Sequence, residues 1–130
     1  MQLTRDAFAA WLDRYIEAWE SHDPAAIGDL FSADCSYSFR GGHTAVVGRE
    51  AIVEAWLEEE GSGSWEASYE PLAIEDQVHV AIGSTHYFDA SRMPRDEYSN
   101  IFVCRFDDAG QCTEFHEWWM RAPGPVARLD

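Results

Sequence analysis

Cysteine is scarce in this sequence, and its placement excludes two common scaffolds of small proteins. Cys35, Cys104 and Cys112 are the only cysteines among 130 residues. Their number is odd and no Cys-x-x-Cys pair occurs, so the pattern favours neither a disulfide framework nor a zinc ribbon. Reduced thiols are typical of a reducing compartment, and we therefore expect a cytoplasmic protein.

Basic residues are scarce as well. Nine lysine or arginine residues stand against 24 aspartates and glutamates, which gives a net charge of −15. DNA, RNA and anionic membranes are bound through basic patches that release counterions. The composition therefore argues against nucleic acid and membrane as partners.

Long apolar runs are missing too. The first residues (MQLTRD) lack the apolar stretch of a signal peptide, and no later stretch could span a bilayer, so we expect neither. The apolar content of 46% and the aromatic content of 14% nevertheless predict a substantial core. We expect one domain over residues 1–121 and a loosely held tail over 122–130.

Helical and strand patterns follow one another in a simple order. Residues 4–21 carry an apolar stripe at helical spacing, Asp23-Pro24 is typical of the start of a second helix, and residues 50–57 predict a third. Strands are predicted over residues 35–39, 45–47, 65–74, 78–88, 97–106 and 112–120, with turns at Gly41-Gly42 and 61–64 and a loop over 90–96. This order predicts an α+β fold in which a curved antiparallel sheet encloses a pocket with three helices.

The last two strands form a hairpin whose register can be counted outwards from the turn. A four-residue loop at 107–110 places Phe106 opposite Gln111 and Asn100 opposite Glu117. Side chains alternate between the two faces of a strand. One face of the hairpin then carries four residues from each strand. Tyr98, Asn100, Phe102 and Cys104 of the first strand lie opposite Trp119, Glu117, Phe115 and Thr113 of the second. In this register Cys104 and Cys112 lie on opposite faces, and His116 lies on the face opposite to Glu117.

Glu117 is the sharpest functional candidate. A carboxyl group enclosed by aromatic rings is desolvated, which raises its pKa towards the range useful to a general acid or base. The alternative is a buried Glu117–Asn100 hydrogen bond that only fixes the strand register. Both interpretations stay open at this point.

Four segments in order resemble the nuclear transport factor 2-like superfamily, in particular its SnoaL-like polyketide cyclases and ketosteroid isomerases. The likeness covers about residues 4–121 and rests on residues 19–27 (WESHDPAAI), 30–34 (LFSAD), 47–52 (VGREAI) and 105–110 (RFDDAG). The resemblance implies a cone-shaped half-barrel with a pocket in its wide end. It also implies a homodimer packed through the sheet, and neither a cofactor nor a metal.

The resemblance says less about chemistry. It places Tyr15 where the isomerases have an oxyanion-binding tyrosine, but Phe39 and Phe102 where they have their two carboxyl groups. Steroid isomerisation by that route is therefore not favoured. Scytalone-type dehydratases share the fold, and Asn100 matches their asparagine, whereas Trp19 and Phe39 stand where tyrosines are expected.

We therefore expect a pocket for a small, largely apolar molecule. As an enzyme, the protein would isomerise, cyclise or dehydrate a carbonyl or polyketide-like compound, with Glu117 as acid or base, Asn100 orienting it and Tyr15 stabilising an oxyanion. The substrate-binding candidates are Trp19, Tyr37, Phe39, Trp56, His86, Tyr98, Phe102, Phe115 and Trp119. The face of His86 is left open, and His116 is assigned to a dimer interface. The alternative function is a non-catalytic ligand-binding or dimeric interaction module.

A metal site is not indicated. His79, His86, Asp89, His116 and Glu117 are not spaced so that three ligands share one side. We therefore expect no metal and no cofactor.

Overall fold

A computed structural model describes residues 1–39, 44–58 and 64–122 of the chain. Within these ranges it contains three helices and six strands. The helices are α1 (Arg5–Ser21), α2 (Pro24–Asp29) and α3 (Arg49–Glu58). The strands are β1 (Phe31–Phe39), β2 (Thr44–Val47), β3 (Ser64–Glu75), β4 (Val78–Phe88), β5 (Pro94–Phe106) and β6 (Cys112–Arg121).

The strands form one curved, open sheet in the order β2-β1-β6-β5-β4-β3. Neighbouring strands run antiparallel except β1 and β6, which are parallel. The predicted α+β class and curved sheet with three helices are thus confirmed. The one parallel pair differs from the expectation because β6 returns to the middle of the sheet beside β1, which precedes it by some 70 residues of chain.

Local side-chain chemistry sets where the first two helices begin. The Thr4 hydroxyl accepts a hydrogen bond from the backbone N–H of Ala7 at 3.1 Å, and the Asp23 carboxylate accepts one from Ala25 at 3.1 Å. Both side chains satisfy N–H groups that a helix start otherwise leaves open. Pro24 then occupies the first turn of α2, as the sequence predicts. The predicted apolar stripe of α1 is buried at Phe8, Trp11, Leu12 and Tyr15.

The hairpin register differs from the count made on the sequence. Phe106 pairs with Cys112 rather than Gln111, Asn100 with Trp119, and Phe102 with Glu117. There are two causes of one position each: the connecting loop has five residues, 107–111, rather than the predicted four, and a β-bulge between Arg105 and Phe106 gives β6 one extra residue. Beyond the bulge the strands are offset by two positions from the predicted pairing, and a shift of two keeps every side chain on its predicted face.

The longer loop overturns the prediction for the cysteines. Cys112 pairs with Phe106 on the inner face, so it lies on the same side as Cys104 and not on the opposite one. It contacts both Cys104 and Cys35, and all three are fully buried. They are free thiols.

The segment before β5 is shorter than predicted. The Asp89 carboxylate accepts hydrogen bonds from the backbone N–H groups of Ser91 at 2.8 Å and Met93 at 3.0 Å, which closes a tight turn. β5 therefore begins at Pro94, inside the predicted loop of 90–96.

The predicted turn at Gly41-Gly42 lies outside the described residues, as do 61–63 of the connector and 123–130 of the tail. Among the helices that the structure describes, none is long and apolar enough to cross a lipid bilayer.

Candidate functional site

A pocket of about 360 Å³ lies between the inner face of the sheet and the helices α1 and α3. Its walls are mostly aromatic, with a few polar groups among them. It is lined by Tyr15, Ile16, Trp19, Tyr37, Phe39, Trp56, Trp65, Tyr69, Thr85, Tyr87, Arg95, Tyr98, Asn100, Glu117 and Trp119. A volume of this size is enough for a small organic ligand.

The pocket brings together nine of the twelve residues that the sequence proposes for a site. The three catalytic candidates Tyr15, Asn100 and Glu117 all line it. Six of the substrate-binding candidates line it as well, namely Trp19, Tyr37, Phe39, Trp56, Tyr98 and Trp119.

The other three candidates lie elsewhere. Phe102 and Phe115 face inwards but are buried beneath the wall, because Tyr69 packs on Phe102 at 4.6 Å and Tyr37 stacks on Phe115 at 4.6 Å between ring centroids. His86 points to the outer face of β4, where its Nε2 lies 3.8 Å from a carboxylate oxygen of Glu97. The alternation along β4 decides this, since its neighbours Thr85 and Tyr87 line the pocket.

Six lining residues were not foreseen from the sequence, namely Ile16, Trp65, Tyr69, Thr85, Tyr87 and Arg95. Four of them belong to β3 and β4. Period-two alternation places these four on one face of each strand, but the sequence did not show which face turns inwards. Arg95 was hidden for another reason, because it lies in the segment predicted as a loop.

A chain of hydrogen bonds runs across four strands, from Tyr69 on β3 to Glu117 on β6. Asn100 donates from Nδ2 to Oε2 of Glu117 at 3.0 Å, and the hydroxyl of Thr85 donates to Oδ1 of Asn100 at 2.9 Å. Because the proton of Thr85 is used in this way, the Tyr69 hydroxyl is the donor in its 2.7 Å contact with Thr85. Every donor in the chain points towards the carboxylate, which fixes the orientation of the Asn100 amide.

A glycine allows the tyrosine that starts this chain to lie flat on the sheet. Gly83 pairs with Tyr69 on β3 and with Asn100 on β5. A Cβ at this position would come within 2.4 Å of the Tyr69 ring and 2.0 Å of the Ser68 carbonyl oxygen. The missing side chain therefore positions Tyr69, whose hydroxyl reaches Thr85.

The other hydroxyl pair of the pocket joins α1 to β1. The hydroxyls of Tyr15 and Tyr37 are 3.2 Å apart. Burial raises the pKa of Tyr15 well above 10, and the neighbouring Tyr37 and the charge of Glu117 raise it further. Burial likewise raises the pKa of Tyr69. Both phenols thus stay protonated at neutral pH and act as hydrogen-bond donors inside the pocket.

One buried donor in the pocket wall lacks a protein partner. Trp56 on α3 is almost fully buried, yet its indole Nε1 makes no hydrogen bond to any described residue. A buried N–H group without an acceptor costs on the order of 1–3 kcal/mol. The ring of Trp56 lines the pocket, but the Nε1 atom itself is covered by neighbouring side chains.

The chemical inventory of the pocket is short. Among its lining residues, Glu117 is the one acidic group and Arg95 the one basic group, beside tyrosine and threonine hydroxyls, one amide and the indoles. Within the described residues, no group of three or more histidine, cysteine, aspartate or glutamate side chains is placed so that it could hold a metal ion. The arrangement can accept or donate a proton at Glu117 and can hydrogen-bond a ligand oxygen.

Comparison with known proteins identifies the fold. A family model for the SnoaL-like domain matches residues 12–115. No curated protein matches the sequence significantly.

Three solved structures illustrate the likeness. A ketosteroid isomerase candidate from Kribbella flavida has a TM-score of 0.70 at 14% identity, over 95% of this chain and 85% of the other. An LEH-like epoxide hydrolase from M. tuberculosis has a TM-score of 0.69 at 12% identity, over 89% and 84%. A ketosteroid isomerase-like protein from Erwinia carotovora atroseptica has a TM-score of 0.64 at 17% identity, over 92% and 97%. Identities this low show a common fold and leave the reaction open.

Proposed function

The chain belongs to the SnoaL-like domain family, and we propose that its pocket binds a small, largely apolar carbonyl compound and catalyses proton transfer on it. Glu117 is the acid or base, Asn100 orients it, and Tyr15 stabilises the developing oxyanion. The observation that carries the proposal is the 3.0 Å hydrogen bond from Asn100 to Glu117 in the pocket wall.

The hydrogen-bond chain supports the role of Glu117 as a base. Asn100, itself oriented by Thr85, donates to the carboxylate and holds it in a fixed orientation, and a fixed base loses less entropy on reaching the reacting proton. A substrate C–H placed against a carboxylate held in this way could be attacked while the hydrogen bond from Asn100 is kept.

Two further groups suit a carbonyl oxygen. The Tyr15 hydroxyl stays protonated because its pKa is raised by burial, and Glu117 contributes to that shift, so the two side chains are electrostatic neighbours. The rings of Trp56 and Tyr15 are 5.0 Å apart, and a shift of the side chains that cover it on ligand binding would let the unpaired indole N–H of Trp56 add a second donor. Donors of this kind stabilise an enolate oxygen more than the carbonyl oxygen of the ground state.

The proposed step can be written in full. Glu117 takes the proton from the carbon next to the carbonyl, and the C–H electron pair moves into the C–C bond as the carbonyl π pair moves onto oxygen. Return of the proton to another carbon gives isomerisation. Loss of a β-hydroxyl group as water gives dehydration, and attack of the enolate carbon on a second carbonyl gives cyclisation.

Exchange of α-protons in a simple aromatic ketone tests the proposal without knowledge of the natural substrate. 2-Tetralone in deuterated buffer is incubated with the protein, and the loss of its α-proton signal is followed by NMR. We expect the wild type to accelerate exchange above the buffer rate and Glu117→Gln to abolish the acceleration. Glu97→Gln is the matched control, because Glu97 lies on the outer face. Equal exchange by wild type and Glu117→Gln would overturn the role of Glu117.

A non-catalytic module of the same fold is the second candidate. The pocket alone would serve a binding protein equally well, and its walls would then need no base. Binding of 2-tetralone without accelerated exchange in the wild type would favour this alternative.

We also propose that the protein forms a homodimer through the outer face of the sheet. Ile82, Ile101 and Trp118 pair across β4, β5 and β6, and each is at least 36% exposed. Met120 beside them is 54% exposed. His116 lies on this same face, with its Nδ1 2.7 Å from the Ser38 hydroxyl and its Nε2 2.7 Å from a Glu114 carboxylate oxygen. A continuous apolar row of this kind is typical of an interface.

Trp118→Glu tests the dimer, because it places a charge in the middle of the row. Sedimentation of the wild type should give twice the mass of the 14.8 kDa chain, and the variant should sediment as a monomer with an unchanged circular dichroism spectrum. A monomeric wild type would overturn the proposal.

The three buried free thiols support our further proposal that the protein works in the cytoplasm.

A further inference from the structure

Arg95 is the one basic side chain among the described residues that line the pocket. A cation in the wall of an aromatic pocket is unexpected in a chain of net charge −15. Its position is also set apart from that of the base, since Arg95 lies at the start of β5 and is nearly half exposed, whereas Glu117 lies in the middle of β6.

Two contacts fix the orientation of the guanidinium group. Its Nε donates to Oδ2 of Asp96 at 3.0 Å, and its central carbon lies 5.4 Å from the centre of the Tyr87 ring. Tyr87 itself lines the pocket. The terminal nitrogens of Arg95 donate to no described residue, so the end of the group that forms paired hydrogen bonds remains open to a ligand.

The charges around Arg95 leave a local excess of positive charge. Asp96 is shared, because its other oxygen pairs with the guanidinium of Arg121. Two arginines therefore surround a single carboxylate whose side chain is only 16% exposed. Asp96 thus neutralises one of the two cations and holds both in place.

We propose that Arg95 binds a carboxylate group of the ligand, so that the natural substrate is an apolar acid whose reacting carbonyl lies at the other end, near Glu117. The inference rests on the proposed function for the identity of that reacting end. A carboxylate fits because it is a planar monoanion that accepts two parallel N–H bonds from one guanidinium. The anionic end would avoid Glu117, so the two charges of the pocket would also set the direction in which the substrate enters.

Three isosteric probes that differ only in charge test the proposal. 4-tert-Butylbenzoate, 4-tert-butylbenzamide and 4-tert-butylbenzamidine carry a negative, neutral and positive end on the same apolar body. Dissociation constants are measured by isothermal titration calorimetry at one salt concentration. We expect the carboxylate to bind about tenfold more tightly than the amide, as a charge-assisted bond to a half-exposed arginine would give, and the amidine to bind most weakly.

A pair of variants shows whether Arg95 itself is responsible. Arg95→Met should bring the carboxylate and amide to equal affinity. Arg121→Met is the matched control, because Arg121 also pairs with Asp96 but does not line the pocket, and it should keep most of the preference. Thermal unfolding confirms that both variants, each changed at an exposed site, are folded.

The proposal is overturned if the carboxylate fails to bind, or binds no better than the amide. It is also overturned if Arg95→Met and Arg121→Met lose the preference for the carboxylate equally. The preference would then come from the overall positive charge near the pocket and not from a direct contact with Arg95. Tightest binding by the amidine would reverse the assignment in favour of a cationic ligand. Glu117→Gln separates this test from that of the proposed function, because it should abolish proton exchange while leaving carboxylate binding equal or tighter.

Discussion

Asn100 and Glu117 are joined by a 3.0 Å hydrogen bond, although the sheet pairs neither residue with the other. Asn100 stands opposite Trp119, and Glu117 stands opposite Phe102. The contact is therefore diagonal across β5 and β6, within the reach of two long polar side chains. It survives the two-position offset, to which the longer loop and the bulge contribute one position each, because the offset keeps both side chains on the inner face.

Removing Asn100, which lies between Thr85 and Glu117 in the hydrogen-bond chain, should destabilise the protein. Asn100→Ala leaves the Thr85 hydroxyl and the Glu117 carboxylate each without one partner, and we expect a loss of about 1–3 kcal/mol in the free energy of unfolding. Urea denaturation measures it. A double-mutant cycle with Glu117→Gln should give a coupling of at least about 0.5 kcal/mol. Ser99→Ala, on the outer face next to it, should change stability by less than about 0.5 kcal/mol.

Trp56→Phe should separate binding from stability. The change removes an indole N–H that has no partner among the described residues, so little hydrogen-bond energy is lost on folding. Affinity for 2-tetralone, measured by calorimetry, should nevertheless fall by about threefold to tenfold if this N–H binds the ketone oxygen. Trp19→Phe removes an indole from the same wall and serves as the control. An equal loss of affinity in both variants would show that ring size, and not the N–H, matters.

Gly83→Ala should disturb the pocket from the sheet side. The new methyl group would meet the Ser68 carbonyl oxygen at 2.0 Å and the Tyr69 ring at 2.4 Å, so β3 and β4 must separate. Overpacking of this kind costs about 1–3 kcal/mol. Urea denaturation should show this loss of stability in Gly83→Ala. The control Ser84→Ala, on the opposite face of β4, should keep the stability of the wild type. A Gly83→Ala protein of wild-type stability would contradict the close approach of Tyr69.

Acid should weaken the fold through His79. This fully buried ring accepts a hydrogen bond at Nε2 from the backbone N–H of Leu3 at 2.9 Å and donates from Nδ1 to the carbonyl oxygens of Gln77 and Cys104. Burial lowers its pKa below 6.5, against the effect of those two carbonyls, and the N-terminal ammonium lowers it further. A proton on Nε2 would break the bond to Leu3.

The lowered pKa of His79 sets the direction in which stability changes with pH. The unfolded chain binds the proton more readily, so the contribution of neutral His79 is complete above about pH 6.5 and is lost as the pH falls towards the folded pKa. One such group can change the free energy of unfolding by at most about 1.4 kcal/mol per pH unit. Urea denaturation at several pH values measures it, and His79→Phe should flatten the curve. An unchanged slope in that variant would assign the acid sensitivity to other groups.

Short-range patterns in the sequence were sufficient for most helices and strands and for the α+β class. The stripe from Phe8 to Trp19 predicts α1, and Asp23-Pro24 predicts the start of α2, because both signals depend on neighbours within a few residues. Alternation in β5 and β6 assigned Asn100 and Glu117 to one face. The parallel contact of β1 with β6 and the bulge at Thr113 were missed, because each depends on strands far apart in the chain or on a single unpaired residue.

The sequence by itself determined which side chains share a face, since a strand period of two and a helical period of 3.6 are local properties of the backbone. It thereby selected the aromatic wall and the carboxylate within it. Only the tertiary structure decided which face of β3 and β4 turns inwards, and so added Tyr69 and Thr85 to the chain that ends at Glu117. It also decided that Arg95 meets the pocket and that His86 does not, because both depend on where a strand begins and on how the sheet curves around the pocket.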